Sequence, residues 1–379
     1  MKTKIYFSLS FSVVLLTVTT MSLVSCSSDS ESEKDFSLSY NTYQMVWNSP
    51  RPSYEAQTTR ADGERAWAIN DVVYIRMIDD VNHLMRNAMA TYAGDGTWNM
   101  SFAGRLTDIN KGRAEVYFFD NVGRTSETSK EINLLADTPV YIDLNGSFEV
   151  FDSGRRLELN AFLVPEHGRI RFKGTSGQKI FVKGVQRHKQ FSPVDGFTQS
   201  SFVDSLIVDN SGYTPYLYGK FAWDIHYIMV SYDDKSFYTE FPANDDVYNL
   251  ENGVSAFMTI PTTTSLNGFY EVNVTEIEEW TGLTNNQQTF PMNFKNSDRL
   301  FFTYSVRPAK GNKLYAFVRC GTEQENVIGG FSSSALDTPV AYALTSSGDG
   351  ALVVCLMEGD NGGLDGEVTI SNLMLVQRK

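Results

Sequence analysis

Short stretches of alternating apolar and polar residues recur along almost the whole chain. Examples are DVVYIRMI (71–78), GTWNMSF (96–102), RAEVYFF (113–119), PVYIDL (139–144) and RLELNAFLV (156–164). The texture continues in GRIRFKG (168–174), QKIFVKGVQ (178–186), SFVDSLIVD (201–209), WDIHYIMVSY (223–232) and GVSAFMTI (253–260). A period of two places alternate side chains on opposite faces of a strand, and Gly, Asn, Asp and Ser between the runs supply turns. The 25 Phe and 19 Tyr suit pleated, half-buried surfaces. The expectation is an all-β chain of sandwiches or barrels. The best helix candidate is DVNHLMRNAMATYA (80–93). No fixed-period repeat is present.

The first residues have a different pattern. Lys2 and Lys4 precede an apolar run from Ile5 to Val24, which ends in small residues at Cys26. A charged start, an apolar middle and a small-residue exit define a secretory signal peptide, here residues 1–25. Leu23-Val24-Ser25-Cys26 resembles the lipobox of bacterial lipoproteins, which implies lipidation of Cys26. Several acyl chains hold a protein on a membrane durably. Ser27 to Asp35 is polar and acidic and reads as a solvated tether. It resembles the surface-export signal of Bacteroidetes lipoproteins. The expected location is therefore the cell outer membrane, lipid-anchored and surface-exposed.

Charge narrows the partners. The chain carries 45 acidic and 32 basic residues, a net charge of −13. Nucleic acid and anionic lipid surfaces both demand clustered Lys and Arg, so neither is an expected partner. Of three cysteines, Cys26 is assigned to the lipid. Cys320 and Cys355 either form one bridge or remain two buried thiols.

Catalytic signatures are missing from the sequence. The histidines His83, His167, His188 and His226 include no pair at zinc-ligand spacing. No nucleophile elbow, P-loop or dinucleotide fingerprint occurs. Asp233-Asp234 and Asp245-Asp246 sit in polar turns, and MEGDNGGLDGE (357–367) reads as an acidic hairpin turn. The expectation is a non-enzyme without cofactor or metal.

Residues 55–265 resemble the fimbrillin (Mfa-like) family of Bacteroidetes surface proteins. The resemblance rests on TTRA (58–61), on Trp67 followed by Asn70-Asp71 and an apolar strand, and on Trp98 in GDGTWNM. LNAFLVPEHGRIRFKG with KIFVKGV, and NGVSAFMTIPTTT, extend it. Asn70 stands where the family usually has glycine. The family implies tandem transthyretin-like β-sandwiches, placed here at 55–152 and 153–265, after an acidic tether and first strand over 26–54. It also implies adhesion, and often pilus assembly by strand exchange. In that process a protease cuts after an arginine and a neighbour's strand fills the exposed groove. Arg60 and Arg65 are the candidate processing sites.

PTTTSLNG (261–268) reads as a linker. Beyond it, residues 269–379 resemble a jelly-roll carbohydrate-binding module. In DRLFFTYSVRP one face carries Thr303 and Arg307, and in NKLYAFVRC one face carries Tyr315, Phe317 and Arg319. Rings, hydroxyls and guanidinium groups together suit sugars. With Trp280 these form the candidate ligand-binding set. Three functions follow as expectations. The first is a non-catalytic adhesin acting as pilus tip or accessory subunit, with pilin subunits or a host surface ligand as partners. The second is a glycan-binding lipoprotein of a polysaccharide-uptake system. The third is a glycoside hydrolase.

Overall fold

The alternation translates directly into buried faces. Val73, Ile75 and Met77 on one strand, Trp98, Met100 and Phe102 on another, and Ala114, Val116 and Phe118 on a third are all at most 2% exposed. The Val, Ile, Met and Phe side chains among them each contribute roughly 1.5–3 kcal/mol when fully buried. The structure, a computed structural model, describes residues 40–54, 66–120, 131–242, 250, 253–277, 280–283, 287–308, 314–320, 327–328, 338–344, 348–358 and 366–379. Within 277–293, 306–338 and 345–368 the backbone alone is described. Cys26, Arg60, Arg65, Asp245-Asp246 and the centre of the 357–367 turn lie outside the described residues.

In chain order the strands are β1 (Tyr40–Val46), β2 (Val72–Asp79), β3 (Met85–Gly94), β4 (Thr97–Ala103), β5 (Lys111–Phe119), β6 (Ile132–Asn133), β7 (Val140–Phe151), β8 (Arg156–Asn160) and β9 (Val164–Pro165). They continue with β10 (Gly168–Lys173), β11 (Lys179–Ser192), β12 (Gly196–Ile207), β13 (Leu217–Phe221), β14 (His226–Tyr232), β15 (Lys235–Phe241) and β16 (Ser255–Thr259). The last are β17 (Tyr270–Ile277), β18 (Trp280–Leu283), β19 (Gln287–Phe294), β20 (Arg299–Pro308), β21 (Leu314–Cys320), β22 (Val327–Ile328), β23 (Thr338–Ala343), β24 (Gly348–Glu358) and β25 (Gly366–Arg378). A 3-10 turn at Leu106–Asp108 is the one helical element among the described residues. The chain is all-β.

The helix candidate at 80–93 is a strand from Met85 onward. Alanine favours helix in isolation, but β3 lies between β2 and β4 and pairs with both. Ala88 and Ala90 face inward, at 5% and 0% exposure. The small side chains leave room for Trp98 and Phe102 in the same core.

The first sheet has the order β5-β2-β3-β4-β1-β8-β7-β9, and β5 also pairs with β7. The sheet therefore closes on itself around its core, and β1 is one of its staves. β1 pairs antiparallel with β4 over Tyr40↔Ala103 to Val46↔Thr97, and parallel with β8 over Gln44↔Arg156 to Val46↔Glu158. Met45 and Trp47 point into the core, at 2% and 3% exposure. β8 and β9 belong to this sheet, so it runs past residue 152, where the sequence placed a boundary.

The second sheet follows the path β16-β10-β13-β11-β14-β15-β17-β25-β20-β23. It crosses the 261–268 segment without a break, because β15 pairs with β17 through Ser236↔Val272, Phe237↔Glu271 and Tyr238↔Tyr270. The linker read from Pro261 and the threonines is a tight turn, with Asn267 and Gly268 both at positive φ. β19, β24, β21 and β22 form a separate four-stranded sheet. The Asp233-Asp234 pair, at φ 47 and 57, makes the two-residue turn between β14 and β15.

One apolar cluster joins the two large sheets. Tyr74, Tyr117 and Phe119 from β2 and β5 pack with Phe191 of β11 and with Ile132 and Leu134 around β6. Phe191 is fully buried, with ring centroids 4.9 Å from both Tyr117 and Phe119. The inner faces of β2 and β5 thus pack in the first core, while on their outer faces Tyr74, Tyr117 and Phe119 turn toward β11.

Candidate functional site

Two regions combine chemistry with position. The first is the segment leading from β1 to β2. Residues 49–54 of this segment are docked. Trp67 Nε1 donates to the Ser49 carbonyl at 2.7 Å, and the Trp67 ring packs against Trp47, Trp98 and Phe118. Arg51 Nε donates to Asp71 Oδ2 at 2.9 Å, and its two other nitrogens grip Asp120 at 2.8 and 3.2 Å. Its guanidinium also lies 5.0 Å from the Phe118 ring centroid. Burial opposes the Arg51 charge, but the bonds to Asp120 and Asp71 outweigh it and raise its pKa.

Asn70 takes the left-handed conformation at the turn into β2. Its φ is 72, and its N–H donates to the Tyr92 carbonyl. Asparagine enters the left-handed region more readily than other non-glycine residues, so the turn into β2 needs no glycine here.

The second region is a cluster that sequence spacing did not foretell. Glu166 and His167 lie between β9 and β10, and His188 lies on β11. Glu166 Oε1 is 2.7 Å from His188 Nε2 and 3.6 Å from His167 Nε2. The His188 ring stacks on Phe197 at 3.5 Å between centroids and 6° between planes. His167 is 5% exposed. Burial opposes ionisation of Glu166, but the His188 hydrogen bond and the charges of His167, His188 and Lys220 outweigh it and hold its carboxyl below the usual range. Burial pushes the His167 imidazole down to about 4, against the pull of Glu166. Glu166 Oε2 and His188 Nδ1 are buried without a hydrogen-bond partner. The sequence signal was the adjacent pair Glu166-His167, but its partner is 21 residues further on and arrives only through sheet pairing.

The strands that carry the expected ligand set fall in two sheets. β20 and β21 are neighbours in sequence but belong to different sheets, so Thr303 and Arg307 do not share a sheet with Tyr315, Phe317 and Arg319. Both faces of β20 are buried from Leu300 to Tyr304. Thr303 is 1% exposed, its hydroxyl 2.7 Å from Ser371 Oγ and accepting from Asn372 Nδ2 at 3.0 Å. Thr303 is therefore a structural residue and not a ligand contact. Arg307 stands opposite Glu367 on β25, and Trp280 opens β18 opposite Ile370. Tyr315, Phe317 and Arg319 stand opposite Met357, Cys355 and Val353 on β24. The side chains of Trp280, Arg307, Tyr315, Phe317 and Arg319 lie outside those described. Cys320 pairs with Leu352 while Cys355 pairs with Phe317, an offset of three residues. That is about 10 Å along a strand, beyond the ~7 Å limit for a bridge, so the register favours two separate thiols.

A cavity of about 130 Å³ lies between β11, β12 and β25, lined by Lys183, Phe202, Trp223, Tyr227, Glu276 and Asn372 among others. Lys183 hydrogen-bonds Glu276 in its wall, and Trp223 Nε1 is buried without a partner.

No protein-family model matches this chain, and no curated protein matches it. Solved structures with partial likeness include a fimbrial protein from Bacteroides ovatus ATCC 8483, at 11% identity and a TM-score of 0.28, covering 59% of this chain and 49% of that one. The chain thus spans about half the length of that protein. The fimbrial anchor protein Mfa2 from Porphyromonas gingivalis has 7% identity and a TM-score of 0.26, over 51% of this chain and 78% of that one. SGBP-B from a complex xyloglucan utilization locus in Bacteroides uniformis has 7% identity and a TM-score of 0.21, over 80% and 98%.

Proposed function

We propose that this chain is a non-catalytic cell-surface adhesin of fimbrial type. It is lipid-anchored at Cys26 on the outer membrane and acts as a pilus tip or accessory subunit that binds a ligand through its C-terminal β-module. The observation that carries the reading is the place of β1. A strand upstream of Arg60 and Arg65 closes the first sheet between β4 and β8. A cut after either arginine severs that stave from the rest of the chain. Its departure bares two rows of backbone N–H and C=O groups, a template for a neighbour's strand. The test is a surface-expressed Arg60→Ala/Arg65→Ala double variant beside the wild type. Wild type is expected to lose its N-terminal segment and enter high-molecular-weight assemblies with pilin subunits. Equal assembly by the double variant would refute arginine-dependent strand exchange.

The second reading, glycan capture, is supported by the cavity beside Trp223. Aromatic faces with a lysine, a carboxylate, an amide and an unpartnered indole N–H match what a sugar ring offers. A broad glycan array probed with wild type and Trp223→Phe tests it. Binding lost in the variant supports it, and a silent array from folded protein excludes it.

A further inference from the structure

The Glu166, His167 and His188 donors all lie within 4.8 Å of one another. We propose that they form a binding site for one divalent ion of the zinc class, which clamps the first sheet to the second. The donor set is the first reason. Two imidazoles and one carboxylate suit zinc and its transition-metal neighbours, whereas Ca²⁺ and Mg²⁺ take shells of oxygen.

Geometry is the second reason. Ligands held about 2.0–2.1 Å from a tetrahedral zinc stand roughly 3.3–3.5 Å from one another. Glu166 Oε1 lies 2.7 Å from one imidazole nitrogen and 3.6 Å from the other, so a small rotation of the Glu166 side chain opens the space. The ion takes the place of the proton now shared between Glu166 and His188, and that proton leaves to solvent.

Unspent capacity is the third reason. Glu166 Oε2 is buried without a partner, which is costly unless a cation or a second donor uses it. The His188 ring is already fixed in orientation by Phe197. Lys220 opposes a cation here, and the Glu166 charge offsets it.

The clamp follows from connectivity. The Glu166 N–H donates to the Val140 carbonyl of β7, in the first sheet. His188 belongs to β11, in the second. An ion bound by both restrains the joint between them.

The test uses the full chain after removal of metal by a chelator. Zn²⁺ is titrated in competition with a chromogenic chelator, with circular dichroism to confirm folding. One equivalent of Zn²⁺ is expected, with affinity reduced about tenfold or more in His167→Gln and in His188→Gln. His226→Gln should bind like wild type, and excess Ca²⁺ should not compete. Because a histidine variant can misfold, zinc K-edge absorption on the wild-type chain gives a second reading. A shell of nitrogen and oxygen with two imidazoles is expected. Absence of stoichiometric uptake by folded wild type, unchanged affinity in both variants, or a sulfur-containing shell would each overturn the site.

Discussion

The Tyr54 hydroxyl donates to the His167 carbonyl at 2.9 Å, so the segment that follows β1 is fastened beside the Glu166–His188 pair. The Tyr54 ring sits 5.5 Å from Tyr141 and 5.0 Å from Tyr218 between centroids, with the Arg169 guanidinium 5.1 Å away. Tyr54 therefore ties the segment after β1 to the joint between the sheets. Tyr54→Phe keeps the ring and loses the bond, and should cost about 1 kcal/mol in urea unfolding. Tyr54→Ala loses both and should cost roughly 3 kcal/mol.

Arg51 is the second fastening. Its side chain is 11% exposed, and those of Asp71 and Asp120 are 14% and 20%. Arg51→Met leaves two carboxylates without their shared cation and should destabilise by about 2–3 kcal/mol, below the value for a fully buried pair because water reaches the site. A double-mutant cycle with Asp120→Asn should show coupling of about 1 kcal/mol or more. Additive effects would mean that the pair does not act as a unit.

Gly184 marks where β11 changes partner. Residues 181–183 pair with β14, and residues 185–186 pair with β13. Gly184 has φ +105, and a Cβ there would stand 2.1 Å from the Tyr227 carbonyl oxygen. Gly184→Ala should therefore lower stability by roughly 3 kcal/mol or more, read as a fall in the unfolding midpoint. A variant as stable as wild type would show that the second sheet tolerates a shift at this bend.

Asp79 sets an acid limit on the first sheet. Its carboxylate accepts N–H bonds from Val81, Asn82 and Asn110 at 2.9, 3.0 and 2.7 Å. The bonds from Asn82 and Asn110 lower its pKa from the ordinary value of 3.8. A depressed carboxyl pKa means that the unfolded chain takes up the proton first. The stability it contributes is complete above 3.8 and disappears as pH falls through the lower folded value. Asp79→Asn should flatten the pH dependence of stability in that acid window and leave its shape above pH 5 unchanged (about one unit beyond the titration). An identical acid profile in the variant would refute the assignment.

Much of the architecture was legible because burial follows a period of two. The inward sets of β2, β4 and β5 stand in the sequence as alternate Val, Ile, Met, Trp and Phe. β3 was not, because alanine and methionine are good helix formers and its strand state is imposed by neighbours on both sides. The linker at 261–268 was misread for a related reason. Pro261, three threonines and Asn267-Gly268 signal a turn, but not whether the flanking strands share a sheet. The sheet membership of the candidate ligand strands was not legible either. Each strand's alternation was read, but β20 and β21 separate into different sheets. The Glu166–His167–His188 cluster depends on the same long-range pairing, which spacing in the sequence does not encode.

The most direct test asks whether β1 is a replaceable stave. The purified chain is cut with an arginine-specific protease, the N-terminal fragment is removed in mild denaturant, and a labelled peptide spanning residues 39–49 is added on refolding. The peptide should bind at one equivalent, restore the unfolding midpoint, and lose affinity when its Met45 is replaced by Asp. A trimmed chain with wild-type stability and no affinity for the peptide would contradict the account.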